Sequence, residues 1–335
     1  MVIHSFRTRT AVREMSEDSR ISVTDLAGKL KCSRITAAKT IMELIDKYDI
    51  KFGIEVDEDK LGLSQRHLLI IKTESKPKAA ELKDLFYNDP YVNCAFLCKG
   101  EFDLILHVIS GNPMDYIVWE SLLPGKLADY GVEIYPSELM LTNFGYFPIS
   151  SATISSMAQN INEKDKSLLA MLSENSRADI SGIASRLSMG RTTVHYRLHT
   201  LIKKGIIRRF TVSVNKPSPQ YIIAYATNYH FNKTSHLRSI KMMEYYKQYD
   251  NGMPLLNTFQ LLAPMSGSFR FLGMALFEDE KVARRDAIVA HKTIFNEEKV
   301  RISAAQVTDV LKGSYPFRNM DMENNYRRFK WYKSN

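Results

Sequence analysis

This chain of 335 residues is poor in the features that covalent chemistry or a disulfide framework would need. Its three cysteines, Cys32, Cys94 and Cys98, are too few and too scattered for a disulfide scaffold, and no paired CxxC accompanies them to build a zinc site. No run of 18 apolar residues occurs, and His4, Arg7, Arg9 and Arg13 interrupt the N-terminal stretch. Neither a membrane span nor a secretory signal is therefore expected, and the reducing cytoplasm is the expected location. GxxxxGK[ST], GxSxG, HExxH and GxGxxG are all missing, and Leu123–Leu127 (LPGKL) lacks the upstream glycine of a phosphate loop. No catalytic residue, cofactor or metal ligand is assigned. Cys94 and Cys98, four apart on one side of an expected strand, read as core thiols.

What the chain does have is length, apolar content and an excess of positive charge. It is too long for one compact core, so two or more domains are expected, and its 44% hydrophobic content can fill them. A formal net charge of +9 favours polyanionic partners without specifying one.

The most informative feature is a repeat. Ser16–Ile50 and Ser173–Ile207 align without a gap at an offset of 157 residues, with 12 of 35 positions identical. In the second copy Leu168, Leu169 and Leu172 form one apolar stripe and Ile183, Ala184 and Leu187 the next. Ser188–Gly190 is the turn. In the third helix Val194, Leu198, Leu201 and Ile202 recur at the spacing that faces them inward. That leaves Arg191, Thr192, His195, Tyr196 and His199 facing outward or sideways, and short polar and cationic side chains at the start of such a helix suit a DNA major groove. Thr193 and Arg197 are further candidate DNA contacts, Arg197 through phosphate or by positioning the helix. Gly205 ends the helix, and Arg208 and Arg209 follow, expected at backbone phosphates. In the first copy Leu26, Ala27, Leu30, Ala37, Ile41, Leu44 and Ile45 keep the inward set. Ser33 caps the third helix, and Ser33, Arg34, Thr36 and Lys39 are candidate DNA contacts. The copies differ in charge: residues 1–55 hold ten basic against eight acidic residues, whereas 163–215 hold ten against four. The second head is therefore expected to bind DNA harder.

After each head the periodicity shortens to that of strands. The reading is strand 67–73, helix 78–87, strands 91–98 and 103–109, helix 114–130 and strand 132–141, and the order recurs as 221–229, 235–249, 256–263, 269–277, 281–296 and 300–310. The expected class is α+β, with two winged-helix or helix-turn-helix heads and two ferredoxin-like βαββαβ sandwiches in tandem. The boundaries are 1–56 for the first head, 64–147 for the first sandwich, 148–160 for a serine-rich linker, 161–216 for the second head and 217–313 for the second sandwich. A basic, aromatic tail occupies 314–335.

This order, together with Gly190–Ile207 (GRTTVHYRLHTLIKKGII), resembles the Lrp/AsnC or feast/famine transcription regulators over residues 6–312, as two tandem copies. Val194, Arg197, Leu201, Gly205 and Ile207 match that family's recognition helix and the turn after it. Gly100, Glu101, Phe102 and Asp103, before the strand LILHV, look like the family's Gly-x-x-Asp signature. The resemblance implies a double-stranded DNA partner, self-association through the sandwiches and a free amino acid as effector at Gly100–Asp103. For such a ligand Asp103 would meet the ammonium and backbone amides near Gly100 the carboxylate. The same four residues also suit an ordinary turn in which Asp103 bonds its own backbone. The chain departs from the family at Arg270, which stands where the second sandwich should have its acidic residue, and at Thr40, where the first head should have its arginine. Two other readings stay open. Sirohaem decarboxylases resemble the same family, and an enzyme of that kind would use His107, His230 and Arg270. An assembly protein with vestigial heads is the other.

Overall fold

The computed structural model describes residues 6–139, 143–144, 158–214, 221–227, 234, 259–277 and 302–313. The fold is mixed α+β. The expected helices at 235–249 and 281–296, His230, the tail 314–335 and most of the linker fall outside the described residues.

Helices α1 (Phe6–Glu17), α2 (Val23–Lys29) and α3 (Arg34–Tyr48) make the first head, and α6 (Glu163–Glu174), α7 (Ile180–Arg186) and α8 (Arg191–Lys203) the second. Polar caps start most of them: Ser22, Ser33, Asn162 and Asp179 each accept a hydrogen bond from a first-turn backbone amide. The turn before each third helix needs a left-handed residue, supplied by Lys31 (φ 50°) and Ser188 (φ 48°), which are themselves 157 positions apart.

Each head is completed by a strand from the other half. Strands β1 (Ile50–Val56) and β7 (Ile207–Val214) pair antiparallel, from Ile50↔Val214 to Val56↔Ile207. Ile54 and Val56 of β1 are buried in the second head's core, and Val212 of β7 in the first. The exchange is reciprocal about a local two-fold axis. The Ser19 amide bonds the Phe210 carbonyl (2.9 Å) and the Ser176 amide the Phe52 carbonyl (3.0 Å), while the two serine hydroxyls share a buried hydrogen bond of 2.6 Å. Arg20 stacks on Phe210 and donates to the Ser176 carbonyl; Arg177 stacks on Phe52 and donates to the Ser19 carbonyl. The contacts are reciprocal, each residue of one segment meeting the residue equivalent to its own partner in the other.

Below the heads, β2 (Gln65–Thr73), β3 (Val92–Gly100), β4 (Leu104–Ser110), β5 (Val132–Leu139), β8 (Tyr221–Thr227), β9 (Phe259–Gly267), β10 (Phe271–Phe277) and β11 (Ser303–Gly313) form one antiparallel sheet. Its order is β10-β8-β11-β3-β4-β2-β5-β9, and β9 pairs again with β10, so the sheet closes into a ring; the short β6 (Asn143–Phe144) also pairs with β9. All eight ring strands contribute to one apolar cluster, from Leu68 and Phe96 to Met265, Leu272 and Val307, which is the ring's interior. Cys94 and Cys98 lie in it, and burial pushes both thiols up from their ordinary range. Outside, α4 (Ala79–Tyr87) and α5 (Pro113–Lys126) cover the first half with Leu82, Phe86, Trp119 and Leu123.

Between heads and ring runs a polar connection. Arg66 of β2 bonds Asp59 at 2.8 Å and lies 3.6 Å from Glu58, all three nearly excluded from solvent. From the same segment Lys60 donates to the carbonyls of Lys204 (2.8 Å) and Gly205 (3.4 Å) at the C-terminal end of α8. These bonds hold the C-terminus of α8 against the base of the first half.

Candidate nucleic-acid interface

Helix α8 starts at Gly190, which has no side chain to cap its amides, and its inner face of Val194, Leu198 and Leu201 is buried. Arg191, Thr192, Thr193, His195, Tyr196 and His199 are all exposed, Tyr196 to 72%. These six sequence-predicted residues therefore form one open surface on the first three turns.

Three other predicted contacts take different positions. Arg197, half-buried, turns toward α6 and donates to the Asn162 (3.1 Å) and Asp165 (2.8 Å) side chains at its start. It fixes α8 on α6 and does not face solvent with its neighbours. Arg208 and Arg209 are also not free for phosphates. Arg208 pairs with Glu55 and Asp57 of the exchanged strand and its extension, at 3.8 and 3.2 Å, and Arg209 pairs with Glu55 and Glu17. The +6 of the second head is thus partly neutralised by carboxylates from the first half.

In the first head, Arg34 and Lys39 are exposed, whereas Ser33 and Thr36 serve the cap: the Ser33 hydroxyl accepts from the Thr36 amide at 3.1 Å and shares a hydrogen bond with its hydroxyl. Thr40, at the position of Arg197, is buried and donates to the Thr36 carbonyl at 2.9 Å. Sequence reasoning passed over the exposed Ile35 and Met42 on the same helix, at 82% and 57%. Their signal was a periodic pair seven apart, off the inward stripe.

The Gly100–Asp103 segment closes the ring. A Cβ on Gly100 would sit 2.6 Å from the Ala304 carbonyl oxygen, and one on Gly267 would sit 2.7 Å from that of Pro136. The segments match bond for bond. The Glu101 amide donates to Ala304 and the Ser268 amide to Pro136; the Cys98 amide donates to the Asp103 carbonyl and the Met265 amide to that of Arg270. Asp103 spends one carboxylate oxygen on the Thr73 amide (2.9 Å), Glu101 accepts from the Ala304 amide, and Phe102 is buried in the ring. One Asp103 oxygen and the Glu101 amide, among the groups assigned to an amino acid's ammonium and carboxylate, are thus bonded within the chain. Arg270 replaces Asp103 without breaking this backbone pattern, since its amide and carbonyl make the equivalent bonds.

His107 lies fully buried in the ring, where Asn93 Nδ2 donates to its Nδ1 at 2.9 Å; His67 stacks on Tyr116 with ring centroids 3.4 Å apart. Burial lowers both imidazoles from the ordinary 6.5, His107 to about 3 and His67 to about 4. The fold thus holds the neutral forms while the unfolded chain protonates near pH 6.5. Stability is complete above that pH and is lost progressively as pH falls through the window toward 3. Urea unfolding should show His107 alone contributing about 2 kcal/mol of loss between pH 6.5 and 5, at about 1.4 kcal/mol per pH unit. His107→Gln should flatten that slope, and an unchanged slope would contradict the assignment.

Among the described residues no helix is long and apolar enough to cross a membrane, and no three His, Cys, Asp or Glu side chains cluster as metal ligands.

Residues 161–208 match the family of winged helix-turn-helix DNA-binding domains, so the segment that carries α8 is similar to DNA-binding heads. Among individual proteins, an uncharacterized HTH-type transcriptional regulator of Pyrococcus furiosus is 42% identical over 59 residues, 18% of this chain and 39% of that protein. The HTH-type transcriptional regulator LrpA of Pyrococcus horikoshii is 34% identical over 67 residues, 20% of this chain and 48% of that protein. The chain thus spans less than half the length of either relative. Over nearly its whole length the fold is similar to that of the siroheme decarboxylase NirDL, with a TM-score of 0.54 and 13% identity over 96% of this chain and 99% of that one.

Proposed function

We propose that the chain is a sequence-specific DNA-binding transcriptional regulator of Lrp/AsnC type, made of two tandem units of helix-turn-helix head and βαββαβ sandwich. The observation that carries this reading is α8: a well-anchored helix whose exposed face is cationic, polar and aromatic, within a segment similar to winged helix-turn-helix domains. The anchors matter because Arg197 and Lys60 hold the helix and leave Arg191, Thr192, Thr193, His195, Tyr196 and His199 to the duplex. The sandwich pairing that joins subunits in the resembled family is made here between the two halves of one chain. Gly100–Asp103 belong to that closure; modulation by a small molecule such as an amino acid is a further part of the proposal, which calorimetric titration with the common amino acids tests.

The second reading is an enzyme of the siroheme decarboxylase kind, favoured by the whole-length fold likeness. Its candidate residues support it less: His107 is fully buried, and Arg270 sits in the β9–β10 turn with its backbone engaged. One pair of measurements separates the readings. The regulator should bind mixed-sequence duplex DNA with an affinity that falls at least about tenfold between 50 and 200 mM salt, and should remain colourless when offered a tetrapyrrole. Salt-indifferent or absent DNA binding, with uptake of the pigment, would replace the first reading by the second.

A further inference from the structure

The two reading helices present chemically different faces. At the offset of 157 residues, Thr192, Tyr196, His199 and Lys203 of α8 correspond to Ile35, Lys39, Met42 and Asp46 of α3. The spacings of four, seven and eleven place each set along one helical face. Ile35 and Met42 are exposed to 82% and 57%, while the inner face of α3, with Ala37, Ile41 and Leu44, is fully occupied in the first head's core. The local two-fold that exchanges β1 with β7 and Ser19 with Ser176 relates the heads. It therefore gives α3 the place in the first head that α8 has in the second.

We propose that the heads recognise unlike half-sites, and that α3 selects thymine through contact of Ile35 and Met42 with its C5-methyl group. This rests on the DNA-binding reading above. The thymine methyl is the apolar group that base edges offer in the major groove, so an apolar pair on a reading helix has a defined partner there. Around Ile35 the flanking side chains fit a duplex, with Lys31, Arg34 and Lys39 exposed cations suited to phosphates, whereas exposed Glu43 beside Met42 is acidic and must turn away from the backbone. Exposed Asp46, at the far end of the stripe, is repelled by phosphate and keeps contact to the N-terminal half of α3. In α8 the corresponding Lys203 extends the contact, so the second head grips more of the duplex and the first supplies a narrower preference.

The test uses the full chain and duplexes it selects from a random pool. The selected site should have two unlike halves, one rich in thymine. Replacing thymine by uracil in that half, which removes only the methyl groups, should weaken binding roughly fourfold per contacted methyl. Ile35→Ser, Met42→Ser, on two solvent-exposed positions, should bind thymine and uracil duplexes equally. A palindromic site, indifference of the parent to uracil, or unchanged discrimination by the variant would overturn the proposal. A variant that keeps its discrimination but changes mass in solution would show a protein-docking face instead. Loss of DNA binding by the parent itself would sink the underlying reading, whereas tight binding through α8 with α3 indifferent would sink this inference alone.

Discussion

Asp89→Ala should destabilise the chain by about 1–3 kcal/mol, the cost of leaving the buried Trp119 N–H without its acceptor, with the partly exposed Lys126 adding little. The Asp89 carboxylate is nearly excluded from water and accepts from Trp119 Nε1 (2.9 Å), Lys126 Nζ (2.8 Å) and the Tyr91 amide (2.9 Å), while its carbonyl accepts from buried Lys312 (2.8 Å). One residue thus ties α5, the start of β3 and, through Lys312, the last strand of the second half. Truncation strands the Trp119 N–H in the layer under α5. Asp89→Asn keeps an acceptor oxygen and should cost less than Asp89→Ala. Denaturant unfolding of the three proteins checks the order, and an Asp89→Ala loss below 1 kcal/mol would refute it.

Gly100→Ala and Gly267→Ala should each destabilise by about 1–3 kcal/mol, because the added methyl meets backbone, which cannot rotate away. At Gly100 the neighbours are the Ala304 carbonyl oxygen at 2.6 Å and the Ala305 Cα at 2.7 Å; at Gly267 they are the Pro136 oxygen and Ser137 Cα, both at 2.7 Å. These are the two seams where the halves join, β3 with β11 and β5 with β9. Gly28 and Gly182, inside α2 and α7 with open space around them, provide the contrast. Alanine there should stabilise by about 0.5–1 kcal/mol through its greater helix propensity. Melting curves should separate the pairs by sign. Seam variants that melt like the parent would show that the closure is looser than its backbone contacts.

The patterns with short periods were legible in the sequence. The inward stripes of α6, α7 and α8, the strand–helix–strand order of the first sandwich and the turn at Ser188 all rest on local alternation, and the described elements follow them. Helix α1 was missed because its apolar residues, Ala11, Val12 and Met15, make a short stripe among charges; yet the offset of 157 carries α6 onto it residue for residue. The exchange of β1 and β7 was not legible. Their partners lie in the other half, and Glu55, Arg208 and Arg209, which look solvent-facing in sequence, are paired with one another across it. The carboxylate partners of Arg208 and Arg209 lie in the other half for the same reason, and of the two readings open for Gly100–Asp103 the backbone bonds fit the turn. Arg197 was open to two readings, phosphate contact or positioning of the helix; three positions after Val194 and four before Leu201, it lies on the flank of the buried stripe, and its bonds to Asn162 and Asp165 fit the second.

Equilibrium binding to a selected duplex tests most directly whether α8 is the DNA-reading element, as proposed. Arg191→Ala, Tyr196→Ala, His199→Ala, a triple variant at exposed positions, should keep the parent's melting temperature and lose at least about 100-fold in affinity, since each base or phosphate contact contributes about 1–3 kcal/mol. Its salt dependence should also be shallower than the parent's. A triple variant that folds normally and binds the duplex as tightly as the parent would contradict the account.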